Sequence, residues 1–420
     1  MGAEGVKWVT NNSSPTLTRY HGASGSNTLY SPASQSVATT YFNSLAPWGA
    51  MGRVSLRPDG SVSSRCNINT TPLQTGDNCY SDTDQTGSEQ KMVYIPQFCY
   101  AVDTLTANQV WYWVGQVGDQ FEKSDTSGTY TFSTSDIHPA FLAGGVQKSG
   151  IYAGAYEAYN SSSVLQSVAG VQPTAYLSIS TLRGYANALN PTGWTTSNPG
   201  WGLLTMHSTA AVQLLYLIEY ATWNSQTAIG AGITNLGSDH ASNHACNTGH
   251  TATLGNASGA STGFTPENYS SQPTTYAVSF RGIENLWGNQ HTFLDGANVG
   301  VVGNYDLWMT PDNLGPFSSS SHTSPYASPG YTLPTSAGYC IETWSLTNAS
   351  YMWPFIAATT TGAYTMTVYI CDDINTTTGN IVFTHGNDWR GSTAGGLFSD
   401  LVQSPNANYE VGARIQYVPS

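Results

Sequence analysis

Ser279-Phe280-Arg281-Gly282-Ile283-Glu284-Asn285-Leu286-Trp287-Gly288-Asn289, followed by Phe293-Leu294-Asp295-Gly296, is one of two stretches on which the fold turns. The other is Gly386-Asn387-Asp388-Trp389-Arg390-Gly391-Ser392-Thr393-Ala394-Gly395-Gly396-Leu397-Phe398, closing at Val411-Gly412-Ala413-Arg414-Ile415. The first sets Arg281, Glu284 and Asp295 among aromatic and aliphatic neighbours. A charge in such company costs several kcal/mol unless it is paired. These charges, with Trp287 and Arg414, are therefore expected to form an internal knot of ion pairs and hydrogen bonds that pins loops. In the second stretch, Gly386, Gly391, Gly395 and Gly396 supply tight turns, and Leu397 and Phe398 anchor the backbone in a core. What remains is one large aromatic, one guanidinium and short hydrogen-bonding groups. Antibody paratopes favour that chemistry, and Trp and Arg are the usual hot-spot residues. The competing expectation is that Trp389 is simply buried under a loop.

Around these stretches the chain is acidic and sparsely charged. Its 420 residues carry 25 Asp+Glu against 12 Lys+Arg, a formal net charge of −13, and only 9% charged residues. Yet 40% are hydrophobic and 12% aromatic, with 26 Tyr and 12 Trp, which excludes a disordered composition. Polarity comes from Ser, Thr, Asn, Gln and Gly, which are strand and turn residues. The length suits two or three domains or one elaborated domain. Acidity and scarce Lys leave no basic footprint for nucleic acid. No run of 18 apolar residues is present, so no membrane insertion is expected. Met1 to Trp8 has no apolar core, so no secretory signal is visible. The six cysteines (Cys66, Cys79, Cys99, Cys246, Cys340, Cys371) form no C-x-x-C pair and are too sparse for a disulfide scaffold. Cys66 and Cys79 could pair; buried free thiols serve as well.

Strands are expected at residues 6–10, 53–56 and 60–63 around the turn Arg57-Pro58-Asp59-Gly60, then at 92–100, 110–114, 276–281, 364–370, 380–384 and 411–418. Two segments have the i, i+3, i+4, i+7 stripe of a helix. One carries Leu182, Tyr185, Ala186 and Leu189. The other carries Ala211, Leu214, Leu215 and Ile218, with Ser208 placed to cap it. Residues 63–90, 236–275 and 312–338 read as loops. No fixed-period repeat is present. The expected class is α+β, with two helices, short twisted antiparallel strands and many long loops. It divides into an N-terminal β-rich segment, 1–85, and a main domain, 86–420.

Three constellations invite a chemical reading. Asp239, His240, His244, Cys246 and His250 are types that suit Zn²⁺, but H-x3-H-x-C-x3-H matches no standard spacing, so polar loop histidines are the expected outcome. Gly259-Ala260-Ser261-Thr262-Gly263 fits G-x-S-x-G. A nucleophile elbow needs a hydrophobic strand before the Ser and a helix after it; polar residues precede Ser261 and Pro266 follows. Asp82-Thr83-Asp84 opens like an EF-hand loop, but its twelfth position is Val93.

The two opening stretches resemble C-type lectin domains of the formylglycine-generating-enzyme type, as found in phage and prophage tail proteins and in variable proteins of diversity-generating retroelements. The resemblance extends upstream through Gly5-Val6-Lys7-Trp8 with Pro15-Thr16-Leu17-Thr18-Arg19, Val93-Tyr94-Ile95-Pro96-Gln97-Phe98, His138-Pro139-Ala140-Phe141 and Gly154-Ala155-Tyr156-Glu157. Ser167-Val168-Ala169-Gly170-Val171-Gln172-Pro173, Leu214-Leu215-Tyr216-Leu217-Ile218-Glu219-Tyr220 and Asn224-Ser225-Gln226 follow in order. It implies a C-type lectin fold over 86–420, with termini near one another and 411–418 as a core strand.

By the same resemblance, the segment 385–410 carries ligand-contacting residues that alternate with fixed Gly, Ala, Leu and Phe. The matching positions are Asn387, Asp388, Trp389, Arg390, Ser392, Thr393, Ser399, Asp400, Val402 and Gln403, with Asn406, Asn408 and Tyr409 after them. Gly395-Gly396 adds one glycine to the pattern. The oxidases of this type use two nearby C-terminal cysteines; here Cys340 and Cys371 lie 31 residues apart, with none later. The resemblance thus implies a non-enzymatic binding protein on a virus particle or cell surface, facing a host-surface protein or glycan receptor. A virion or tail component using the fold only for assembly, beside other virion subunits, is the alternative, and an oxidase related by fold comes after it. No cofactor is expected; a structural calcium ion among loop carbonyls and association with copies of itself are left open.

Overall fold

The computed structural model describes residues 2–9, 16–65, 89–103, 108–123, 128–237, 242–268, 273–300, 306–331, 338–343, 357–361, 369–370, 380–390, 396–398 and 400–420. Aromatic and β-branched runs form its strands. The apolar stretch Gln109–Gly115 pairs antiparallel with Glu4–Val9 on one side and Cys99–Asp103 on the other; Thr18–His21 and Thr28–Tyr30 complete a five-stranded sheet. A six-stranded antiparallel sheet runs in the order Trp201–Leu203, Ile415–Tyr417, Gly150–Gly154, Gln90–Pro96, Gly52–Leu56, Val62–Arg65. The last two flank the expected turn at Arg57 to Gly60. A third sheet is built on His291–Gly300, which pairs with Leu307–Met309, Asn380–His385 and, in parallel, Val411–Gly412.

Four α-helices occur among the described residues: α1 (Gln35–Phe42), α2 (Ile179–Asn187), α3 (Met206–Tyr220) and α4 (Ser225–Ala228). Ser34, Ser178, Thr205 and Asn224 cap them through their side-chain oxygens. The expected cap, Ser208, lies inside α3, where its hydroxyl bonds Gln416 Oε1 at 2.7 Å. Every residue of α3 from Met206 to Glu219 is buried, so the apolar stripe found in the sequence is only part of a helix enclosed on all sides. Several of its polar side chains are satisfied inside the molecule. His207 meets Thr310 O at 2.8 Å, Thr209 bonds back to Thr205 O at 3.0 Å, and Gln213 donates to Leu397 O at 3.0 Å.

The α+β expectation with two helices is overturned: the described residues are mostly β, in many small antiparallel sheets, and include four α-helices. Gly259–Ala260, inside the stretch 236–275 read as loop, pairs with Val278–Phe280 of the expected strand, and Tyr159–Ser161 pairs with Val164–Gln166 in a stretch given no element. α1 escaped notice because QSVATTYF is rich in Ser and Thr and buries only Ala38 and Phe42. Strands of residues 1–65 share sheets with later strands. The expected strand at 411–418 is broken in two by Ala413-Arg414. Around α3 lies the largest core cluster, which contains Trp8, Trp48, Tyr112, Trp113 and Trp223. A second cluster joins Leu182 and Ala186 of α2 to Trp201, Phe293 and Ile415. Among the described residues no helix is long and apolar enough to cross a membrane.

Candidate functional site

Two glycines fix the backbone of the C-terminal segment. At Gly386, φ is +92° and an added Cβ would lie 2.6 Å from Leu286 O. At Gly412 it would lie 2.0 Å from Gln290 Oε1 and 2.5 Å from Thr174 O, so only a residue without a side chain fits. Between Gly412 and the last strand, Arg414 is fully buried and donates to Gly154 O (2.9 Å), Glu284 O (2.7 Å) and Asn285 O (3.1 Å). The Glu284 carboxylate accepts the Gly249 N–H (2.7 Å), the Thr251 N–H (2.6 Å) and the Thr251 hydroxyl (2.7 Å). Nearby, buried Glu157 takes the Asn289 amide at 2.6 Å; burial pushes its carboxyl up to about 8, against the opposing charge of Arg414.

The expected single knot is three separate ones. Arg281 grips Glu219 of α3 through Nε (2.7 Å) and Nη2 (2.9 Å). Asp295 is held by Arg183 of α2, with Nε at 3.0 and 3.2 Å. Glu284 belongs to the Arg414 cluster. Each pairs with whichever element packs over it, which sequence proximity does not encode. Trp287 is buried and donates its indole N–H to Gly230 O at 3.1 Å.

Trp389 is fully buried, in a small cluster with Ile233, Leu236, Ala245, Cys246 and Ala277. Its carbonyl receives the Leu236 N–H at 2.9 Å. The expectation that Trp389 contacts a ligand is therefore corrected: the indole is a wedge packed among Ile233, Leu236, Ala245 and Cys246. Asp388 is likewise only 1% exposed. Its carboxylate accepts the Arg390 N–H (2.8 Å) and Nε (2.7 Å), and Arg390 Nη2 bonds both Asp388 and Glu410. Burial opposes the charge on Arg390, but its hydrogen bonds and ion pair with Asp388, aided by Glu410, hold its pKa above the ordinary value. One guanidinium between two carboxylates leaves this corner with one net negative charge. His291 Nε2 lies 3.9 Å from Asp388 Oδ2, and burial lowers the His291 pKa, keeping the imidazole neutral.

Arg390 Nη1 bonds the Tyr409 hydroxyl at 3.1 Å and its guanidinium lies 5.5 Å from that ring. The Tyr409 ring stands 6.4 Å from Tyr176, which is 51% exposed and at φ +60°. The Tyr176 N–H is anchored on Asn408 O at 2.8 Å, and Asn408 Nδ2 reaches Glu410 Oε1 at 3.1 Å. Asn406 is exposed; Gln403, Asn408 and Tyr409 are half-buried. Asn387, at φ +61°, accepts the Asp388 N–H at 2.8 Å and is half-buried. Asp400 and Val402 lie on the strand Asp400–Gln403, paired with Asn380–His385. Ser392, Thr393 and Ser399 lie outside the described residues. Tyr176 and Glu410 were missed in the sequence: Tyr176 is distant along the chain, and no local pattern separates Glu410 from other acids.

Among the zinc-type residues, Asp239 and His240 lie outside the described residues. His244 Nδ1 is 3.2 Å from Asn268 O, Cys246 is a buried free thiol, and His250 pairs with Glu267 at 2.8 Å and stacks on Phe264. Among the described residues no three His, Cys, Asp or Glu side chains are placed to hold a metal. Ser261 donates to Thr262 O at 2.9 Å and accepts the Ala277 N–H at 3.0 Å, closing a loop. The Asp82 loop, Cys66, Cys79 and Cys371 lie outside the described residues, and Cys340 lies on the strand Gly338–Thr343. Neither a protein-family model nor a curated protein matches this chain.

Proposed function

We propose that the protein is a non-catalytic binding protein of a virus particle or cell surface, and that it meets a host-surface protein or glycan with the face formed by Tyr176, Gln403, Asn406, Asn408 and Tyr409. One observation carries this reading: two tyrosine rings, one of them exposed, are fixed on a rigid base by the Tyr176–Asn408 backbone bond and the Arg390–Tyr409 contact. Pre-organised aromatic area flanked by short amides is efficient contact chemistry, because little side-chain freedom is lost on binding. Arg390 and Asp388 act here as supports, since their charges satisfy each other. The family resemblance points to the same segment.

The test is flow cytometry of labelled protein against a panel of intact cells, comparing the wild type with Tyr176→Ala/Tyr409→Ala. The double variant should lose most cell binding at an unchanged melting temperature. Equal binding by both proteins, or no bound cell type for the wild type, overturns the reading.

A further inference from the structure

A second concave surface shares no lining residue with the Tyr176 and Tyr409 face. It is a cavity of about 520 Å³ between α1 and the 256–259 loop, within the range of small-ligand sites. From α1 and its C-cap come Ser36, Thr40 and Asn43; Asn256 and Ser258 come from the loop. Tyr220 supplies partly exposed aromatic surface. Charge is cancelled at its base. The Arg281 guanidinium is closed by Glu219, by Asn43 Oδ1 at 3.1 Å and by Trp48 O at 2.9 Å. Asn256 Oδ1 accepts the Arg53 N–H at 2.8 Å, while its Nδ2 is buried with no hydrogen-bond partner among the described residues.

The lining therefore offers many short hydroxyl and amide groups, each able to give or accept a hydrogen bond, beside aromatic surface and without net charge. Phosphates and metal ions find no matching partner in such a surface. A polyhydroxylated neutral ligand does, because each of its hydroxyls is both donor and acceptor. We propose that this cavity binds a neutral carbohydrate. The site is independent of the proposed Tyr176 and Tyr409 face.

The experiment is saturation-transfer NMR followed by calorimetric titration with maltotriose, cellotriose and N-acetylated chitotriose. Thr40→Trp and Ser36→Trp fill the cavity from exposed helix positions and leave the core untouched. Tyr176→Ala is the control. At least one trisaccharide should bind the wild type, each Trp variant should weaken it about tenfold or more at an unchanged melting temperature, and Tyr176→Ala should bind as the wild type does. Absence of binding for all three sugars overturns the proposal. So does binding that survives both Trp variants, or binding that Tyr176→Ala removes while the Trp variants retain it.

Discussion

Trp389 and Arg390 are neighbours with opposite fates, and the backbone decides which is which. The turn that Gly386 and Asn387 permit drives the indole inward and leaves the guanidinium at the rim. Trp389→Ala should then act as a core truncation, costing about 3–5 kcal/mol in chemical denaturation. A cost below 1 kcal/mol would mean that the indole does not fill its cluster. Gly386→Ala, at φ +92° and facing Leu286 O, should cost about 1–3 kcal/mol in the same measurement; a neutral effect would contradict the left-handed turn. Glu157 has a pH signature. Its folded pKa near 8 stands above the ordinary 4.5, so the native state holds the extra proton between those values. This carboxyl therefore removes stability as pH rises through that window. Glu157→Gln should flatten the fall in melting temperature between pH 5 and 8 relative to the wild type; parallel curves would refute it. Residue types at this scale were legible, since aromatics and amides do crowd the C-terminal segment. Their direction was not, because composition cannot say which side of a turn faces water.

Among the elements, α3 was found from its stripe and α2 likewise, since the 3.6-residue period survives in sequence. Full enclosure of α3 was invisible, because its buried polar side chains find partners more than a hundred residues away. The clamp between Arg281 and Glu219 ties the end of α3 to the Val278–Glu284 region. Glu219→Gln leaves a buried guanidinium without its counter-charge and should cost about 3–5 kcal/mol by denaturation. The double change Glu219→Gln/Arg281→Met should recover part of that loss; no recovery would show that the pair does not couple. Short strands such as Gly259–Ala260 were illegible for a plain reason: two residues carry no period.

At the scale of the molecule, the antiparallel strands were legible in the residues but the class was misjudged. Register and partner choice are long-range properties, and Ser/Thr/Asn runs serve strands and loops equally. The strand Glu4–Val9 sits inside one sheet and Ile415–Tyr417 inside another, each flanked on both sides. Removing residues 411–420 should abolish cooperative melting rather than lower its midpoint. A truncated protein that still melts in one sharp step would show that the sheet closes without them.

That interior placement also governs the order of events at the ribosome. Trp201–Leu203 and Gly150–Gly154 are translated some two hundred residues before the segment that lies between them. Until residue 417 leaves the exit tunnel, both stand as open edges that could capture a foreign strand. The nascent chain must wait with that slot vacant, and that wait is its most aggregation-prone interval.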